Sequence, residues 1–272
     1  MQIIDVHVHL NYYNNRNQGQ DIPSLQNRLE FLLANMRTYN IDYSLILTSY
    51  IVNSNRPPTS DIIKIVNKNK ISNKVGIVAS YTISNNDFNN LTKYKTWIKN
   101  GIIKGIKIYC GYEYYYPNDK RYQPIYDLCI EYKIPVMIHT GDTYSPKGKI
   151  KYSHPLNVDE IAVDNPNLNI VICHLGNPWI LDCQEVIYKN KNVYADISGL
   201  VEGNFNKYNQ RWYGVRINEM LEYIGKPHRL LFGSDWPISN MNSYLNFVEN
   251  LKLDNESIEF LMGKNAQKIF HT

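Results

Sequence analysis

The sequence of 272 residues predicts one α/β domain, residues 1–272, folded as a closed (β/α)8 barrel. Eight short β-branched runs alternate with longer amphipathic runs, a pattern typical of right-handed βαβ units around a parallel sheet. Eight such units fit the length, because a barrel of this kind takes about 250 residues. The first strand ends in His-Val-His-Leu-Asn. The rival fold, an open doubly wound sheet, usually has a glycine-rich phosphate turn at that point.

Each element is predicted from its own pattern. The predicted strands are Ile3–His9, Tyr43–Thr48, Val75–Tyr81, Ile103–Tyr109, Pro135–Thr140, Asn169–His174, Val193–Ser198 and Arg229–Asp235. The predicted helices, which carry apolar residues at helical spacing, are Ser24–Tyr39, Thr59–Asn69, Asp87–Lys99, Gln123–Glu131, Val158–Val163, Pro178–Lys189, Arg211–Ile224 and Asn242–Leu251. Asn11–Gln20 is expected to be a polar loop, and the tail Ser257–Phe270 to form one or two short helices that close one end.

Composition narrows the class of protein. Charged residues make up 20% and the formal net charge is +4, and without a basic stripe this predicts no nucleic-acid partner. No run approaches the roughly 18–20 apolar residues of a membrane helix, and a signal peptide is not expected at the start. The four cysteines form no CxxC pair, which favours free thiols in a reducing compartment. We therefore expect a soluble, cytoplasmic protein.

The first predicted strand brings two histidines to one face. Side chains alternate along a strand, so His7 and His9 are expected to point the same way as Asp5. The other face carries Ile4, Val6 and Val8. Two imidazoles spaced about 6–7 Å along a strand can converge on one metal ion. Two core histidines satisfied by hydrogen bonds are the structural alternative.

Other polar residues also end predicted strands, where catalytic groups of parallel barrels lie. His139 ends the fifth strand, His174 the sixth and Asp235 the eighth. With His7 and His9, four of the seven histidines occupy such places. Imidazoles and a carboxylate suit a divalent metal, above all Zn²⁺. The alternatives are packed core histidines and, for Asp235, a helix cap.

Lys107 lies inside the fourth predicted strand, in Gly-Ile-Lys-Ile-Tyr. A charged lysine in an apolar strand is costly unless it is paired, so a functional role is favoured over a structural one. Asp196, at the end of the seventh strand, is expected to be a hydrogen-bond partner of a metal ligand or a polar contact inside the barrel.

Taken in order, these motifs resemble the amidohydrolase superfamily over nearly the whole chain. They are Asp5–His9, Gly105–Tyr109, Ile138–Thr140, Cys173–Gly176 and Leu231–Pro237. The most similar branch is the amidohydrolase-related, TIM-barrel metal-dependent hydrolases, which also include aminocarboxymuconate-semialdehyde decarboxylase. The run Gly263–Phe270 is similar to the closing helix of that branch.

The resemblance implies a role for each motif residue. The implied metal ligands are His7, His9, His139 and Asp235. His174 would bind a second metal or act as the acid/base and electrophilic group, and Asp235 would also take the proton of metal-bound water. Lys107 stands on the strand that supplies a carboxylated lysine in two-metal branches. One metal ion is favoured here by analogy, and two are expected only if Lys107 is carboxylated.

The first functional hypothesis is a metal-dependent hydrolase acting on an amide, lactone or ester of a small molecule. The alternatives are a non-oxidative, metal-dependent decarboxylase of a small carboxylic acid and a non-catalytic metal-binding barrel. The tyrosine-rich loop 110–119 is compatible with a pocket for a ring or a carbonyl compound. Tyrosines without a functional role are the alternative for this loop. Lys147, Lys149 and Lys151 could attract an anionic substrate, but ordinary solvated lysines are the favoured interpretation. The sequence is compatible with a homodimer and with a monomer.

Overall fold

A computed structural model describes residues 1–13, 22–226 and 228–272, and these residues form a (β/α)8 barrel. Eight strands lie side by side in chain order, and each is parallel to the next. They are β1 (Ile4–Val8), β2 (Tyr43–Leu47), β3 (Val75–Ser80), β4 (Ile103–Ile108), β5 (Val136–Ile138), β6 (Ile170–Ile172), β7 (Val193–Asp196) and β8 (Leu230–Leu231). The predicted fold is confirmed. Of the predicted loop Asn11–Gln20, residues 14–20 lie outside the described ranges.

Helices follow the strands on the outside of the sheet. They are α1 (Leu25–Thr38), α2 (Thr59–Asn69), α3 (Leu91–Lys99), α4 (Gln123–Tyr132), α5 (Asn157–Asp164), α6 (Ile180–Lys189), α7 (Lys207–Ile224), α8 (Met241–Glu249), α9 (Asn255–Glu259) and α10 (Asn265–Phe270). The predicted third helix splits, since Asp87–Asn89 forms a separate 3-10 turn. Within the described ranges, no helix is both long enough and apolar enough to cross a membrane.

The seam between β8 and β1 closes the barrel. The amide of Asp235 donates to the His7 carbonyl at 2.8 Å. The amide of His9 donates to the Trp236 carbonyl at 2.7 Å. Because β8 has only two residues, these two hydrogen bonds beyond its end complete the closed barrel and hold together the segments that carry His7, His9 and Asp235.

The strands are shorter than predicted at the barrel mouth. β5 and β6 have three residues each and β8 has two. Beyond the ends of β6 and β8, His174 and Asp235 both have φ of 62°, in the left-handed region that a strand residue does not adopt. A non-glycine residue held there costs about 1–3 kcal/mol and is typical of functional sites.

A register shift interrupts β1, so the simple alternation predicted for its apolar side chains is wrong. The pairing with β2 shifts between Asp5 and Val8. Val6 packs inside the barrel with residues of the other strands, whereas Val8 packs in the layer between sheet and helices. An irregularity of this kind re-aims the side chains that follow it. His7 and His9 nevertheless line one cavity at the mouth.

The last helix closes the amino end of the barrel, as the sequence predicts for the tail. Ile269 and Phe270 of α10 belong to the same buried cluster as the inward-facing strand residues. A Cβ on Gly105 would lie 3.2 Å from a ring carbon of Phe270, so glycine in β4 leaves room for that ring. The interior is therefore filled at one end and polar at the other.

Candidate metal centre at the barrel mouth

His7 and His9 both direct a bare ring nitrogen toward the barrel mouth. His9 Nδ1 lies 2.9 Å from the Leu47 carbonyl oxygen, and His7 Nδ1 lies 2.9 Å from an Asp196 carboxylate oxygen. Both partners only accept, so each Nδ1 carries the proton and each Nε2 keeps its lone pair. Burial lowers the pKa of His7 to about 4, so this ring is neutral at pH 7.

Asp235 places a carboxylate oxygen against these two nitrogens. Its Oδ1 lies 3.3 Å from His9 Nε2 and 3.8 Å from His7 Nε2. Burial acts to raise the pKa of Asp235, but the polar groups around the carboxyl outweigh burial and keep that pKa below its usual value. The carboxylate is therefore ionised at neutral pH.

Three electron-pair donors thus converge with no proton between them. Asp235 Oδ1 is buried and has no hydrogen-bond partner among the described residues, an arrangement that costs free energy unless a cation occupies it. His7, His9 and Asp235 also form one of the two clusters of potential metal-binding side chains in the described ranges. Two imidazoles and a carboxylate are the donor set of many divalent metal sites. The residues present therefore fit a divalent metal.

The second such cluster is a hydrogen-bond network that orients two histidines. It consists of His7, His174 and Asp196, and Ser198 joins them. The Ser198 hydroxyl lies 2.9 Å from His7 Nδ1 and 2.9 Å from His174 Nδ1, and it donates to Asp196. His174 Nδ1 also lies 3.1 Å from the Ser198 carbonyl oxygen, which fixes its proton on that nitrogen. The Nε2 of His174 is left for the site.

Asp196 is the anion of this network. Burial acts to raise the pKa of its carboxyl, but the imidazole of His7 outweighs burial and holds that pKa far below its usual range. Of the two roles expected for Asp196, the structure places it as a hydrogen-bond partner of His7. Sequence reasoning missed Ser198, for which the only signal is its position two residues after Asp196, on the same side of the chain.

His139 lies in the wall of the same cavity but outside both clusters. Its Nε2 is 3.0 Å from the Asp142 carbonyl oxygen, and its ring is 5.0 Å from that of His174. Burial, with the nearby His174 and Lys107, keeps the pKa of His139 well below its usual value. In this arrangement Nε2 donates to a carbonyl group, so the assignment of His139 as a metal ligand stays a prediction.

Lys107 is buried below the histidines and is paired with a thiol. Its side chain is 1% exposed, and its Nζ lies 2.7 Å from Cys173 Sγ. Burial raises the pKa of the Cys173 thiol well above its usual value, so the sulfur stays protonated and accepts from the ammonium group. All four cysteines are free and buried. Carboxylation of Lys107 remains an open prediction.

Aromatic rings and one arginine line the cavity above the metal centre. The cavity has a volume of about 80 Å³. The Tyr50 ring packs against those of Tyr109 and Tyr112, at centroid distances of 5.2 and 5.1 Å. The Arg56 guanidinium lies 5.5 Å from the Tyr13 ring and bonds the Ser49 hydroxyl. No carboxylate within the described ranges lies at ion-pair distance from Arg56.

Sequence reasoning identified only part of this wall. Tyr112, from the predicted tyrosine-rich loop, lines the cavity, whereas Tyr114 stacks on Tyr152 outside it. Lys149 lies over the Tyr114 ring, so its ammonium is not part of the cavity wall. Arg56 was missed, and its signal would have been its place in the loop after β2.

Comparison with known proteins places this geometry in context. A family model described as Amidohydrolase matches residues 4–272. A probable 2-pyrone-4,6-dicarboxylic acid hydrolase from Acinetobacter baumannii, solved with citric acid bound, is similar over 100% of both chains, with 14% identity and a TM-score of 0.72. No curated protein matches the chain.

Decarboxylases of the same fold are also similar. A dihydroxybenzoic acid decarboxylase from Polaromonas sp. JS666, solved with manganese and 2-nitroresorcinol, covers 99% of this chain and 97% of its own at 14% identity and a TM-score of 0.70. A 5-carboxyvanillate decarboxylase from Sphingomonas paucimobilis covers 99% of each chain at 14% identity and a TM-score of 0.68. At this level of identity the likeness shows the fold.

Proposed function

The chain belongs to the amidohydrolase family, and from this premise we propose that it is a metal-dependent enzyme that decarboxylates a small carboxylic acid. The observation that carries the proposal is Arg56, a cation without a carboxylate partner in the described ranges, at the mouth of the cavity that holds His7, His9 and Asp235. A carboxylate substrate would give Arg56 an ion-pair partner and would give the metal ion a further oxygen ligand. The similar decarboxylase structures support this reading over hydrolysis.

We assign His7, His9 and Asp235 as the residues that would hold one divalent ion. When bound, such an ion supplies Lewis acidity, polarising an oxygen of the substrate. Two imidazoles and a carboxylate suit Zn²⁺, and the manganese of the Polaromonas decarboxylase makes Mn²⁺ the second candidate. We favour a single ion because the Lys107 ammonium is engaged by Cys173 rather than by the metal-binding cluster.

The remaining residues would bind the substrate and move one proton. Arg56 would bind a carboxylate by charge-assisted hydrogen bonds, and Tyr50 and Tyr112 would pack against an unsaturated or aromatic carbon skeleton. The bond between the skeleton and its carboxylate breaks, carbon dioxide leaves, and the electron pair stays on the skeleton carbon. His174 Nε2, kept bare by the Ser198 bond on Nδ1, would take one proton from solvent and pass it to that carbon.

Hydrolysis is the second candidate, and the state of Asp235 favours it. Its unpartnered, ionised carboxylate is suited to take a proton from an attacking water. The tautomer of His174 counts against this reaction, because a bare Nε2 cannot donate a hydrogen bond to a developing oxyanion. The similar Acinetobacter protein, named a probable hydrolase, supports this candidate.

The experiment combines metal analysis with a substrate panel. Protein purified without chelator is expected to contain one equivalent of a divalent metal, and His9→Ala is expected to lose it. Aromatic and unsaturated carboxylates are scored for carbon dioxide release, and lactones, esters and amides for acid release. Carbon dioxide release that disappears in Asp235→Asn supports the proposal. Acid release alone would establish hydrolysis instead, and absence of metal with turnover unchanged in His9→Ala would refute the metal-dependent reading.

A further inference from the structure

We infer that the substrate carries an uncharged apolar tail, which lies in a second cavity next to the metal centre. This inference rests on the proposed function. The second cavity, here called the annex, has a volume of about 550 Å³. Most of its described lining residues come from α1 and from the segments after β1 and β8, and the lining includes Leu10, Phe31, Trp236 and Met241 together with the charged Arg28 and Glu202.

The annex adjoins the cavity of the metal centre. Asn11, Tyr13, Tyr144 and Ile238 line both, so these side chains form the boundary that the tail of a ligand would pass. The cavity at the metal centre, at about 80 Å³, holds only a few non-hydrogen atoms, whereas ligand sites in proteins usually measure about 300–1,000 Å³. A substrate held by the metal ligands must therefore extend beyond that cavity.

The walls of the annex indicate what enters it. Phe31 is 61% exposed although it packs on Trp236 at a ring distance of 5.6 Å. Its exposed ring offers apolar surface that a ligand would remove from water. The Arg28 guanidinium bonds the carbonyl oxygens of Leu10 and Asn55 through Nη1, at 3.0 and 3.1 Å, and its buried Nε has no hydrogen-bond partner among the described residues. Glu202 lines the same cavity and would repel a second carboxylate, so the annex suits an uncharged group that packs on Phe31 and Trp236.

A third cavity next to the metal centre is the competing place for the tail. It has a volume of about 210 Å³ and is lined by Asp142, Glu202 and Asp235 together with His139 and His174. Asp142, Asp235 and the two imidazoles line this cavity but not the annex, so this cavity is the more polar of the two and suits water and the reacting groups. The apolar tail is assigned to the annex for this reason.

The test uses hydroxamates as probes, because a hydroxamate group binds a metal ion while its tail is varied. Acetohydroxamate, butanohydroxamate and hexanohydroxamate are titrated calorimetrically into the metal-loaded protein. Each buried methylene is expected to tighten binding by up to about fourfold, so hexanohydroxamate should bind at least about tenfold tighter than acetohydroxamate. Equal affinities along the series would overturn the annex but leave the metal centre intact. No binding by any hydroxamate to protein that contains the metal would instead overturn the proposed function.

Two variants of the annex wall test whether the hydroxamate tail binds there. Phe31→Ala is expected to remove most of the gain with tail length and to leave the affinity for acetohydroxamate unchanged, since Phe31 lines the annex alone. Asn35→Trp, one helical turn away, should block the annex and remove the gain as well. Tyr208→Ala is the matched control, an exposed aromatic on α7 that lines none of these cavities. A gain that persists in both annex variants would refute the assignment.

Discussion

Replacing Gly199 with Ala would push His174 out of place without altering the bulk of the fold. A Cβ at this position would lie 2.5 Å from His174 Nδ1 and 3.0 Å from Asp235 Oδ2. Ordinary contact begins at 3.4 Å, so the imidazole must move by about 1 Å. A displacement of about 1 Å in an active site costs about 100-fold in rate. We therefore expect kcat/KM to fall by about 100-fold.

The matched control is Gly101→Ala. Gly199 has φ of 61° and Gly101 has φ of 70°, so alanine at either position is held in the left-handed region and costs about 1–2 kcal/mol. A Cβ on Gly101 meets no atom within 4 Å. The two variants should therefore be destabilised by comparable backbone strain, and any extra loss of stability in Gly199→Ala would come from the contacts with His174 and Asp235.

Stability is measured by urea unfolding. The value of kcat/KM is measured by steady-state kinetics with a compound from the substrate panel that the wild-type protein converts. Gly101→Ala is expected to keep the wild-type kcat/KM, and Gly199→Ala to lose it at only slightly lower stability. If Gly199→Ala kept wild-type kcat/KM, the position of the His174 ring would not limit the reaction, and the proposed role of His174 would be wrong.

Three further predictions concern the metal centre and the cavity. Ser198→Ala removes a hydroxyl that joins two histidines, so metal affinity, measured by chelator competition, should fall about 10- to 100-fold. An equal fall in Ser239→Ala, which removes a buried hydroxyl that donates to the Val201 carbonyl, would contradict this. Arg56→Met should raise KM about 10- to 100-fold through a lost charge-assisted hydrogen bond, and an equal KM increase in the exposed control Arg121→Met would show the effect to be nonspecific. Burial lowers the pKa of His7 from 6.5 to about 4, so the stability that the neutral ring contributes is complete above pH 6.5 and is lost as the pH falls to 4. In metal-free protein, the difference in unfolding free energy between wild type and His7→Gln should therefore shrink by about 3 kcal/mol from pH 7 to pH 4, and a difference that stayed constant would argue against a neutral, buried ring.

The sequence predicted the cluster at the mouth because strand polarity determines where it lies. The carboxyl ends of parallel strands meet at one rim of a barrel, so His7, His9 and Asp235 could be placed together although they are far apart in the chain. The same reasoning placed His139 at the rim, but it could not show that the Asp142 carbonyl engages its Nε2. That bond depends on the path of a loop, which periodicity does not describe.

Other parts of the site lie beyond what a single sequence can indicate. Ser198 is a common residue in a loop, and only its contacts with two imidazoles distinguish it. The register shift in β1 leaves no pattern in a run that already alternates well. Helix starts follow local capping, as α7 shows, where the Asn206 side chain accepts from the Asn209 amide and the helix begins at Lys207 rather than at the predicted Arg211.

The seam that closes the barrel gives the proposed ion a mechanical consequence. His7 lies on β1, His9 follows that strand and Asp235 follows β8, so the assigned ligands lie on opposite sides of the seam between the first and last strands. An ion bound by all three ligands would stabilise the closed barrel, because local opening of the seam would require release of the ion. The amide hydrogens of His9 and Asp235, which span the seam, should then exchange with deuterium more slowly in the loaded protein than after chelation.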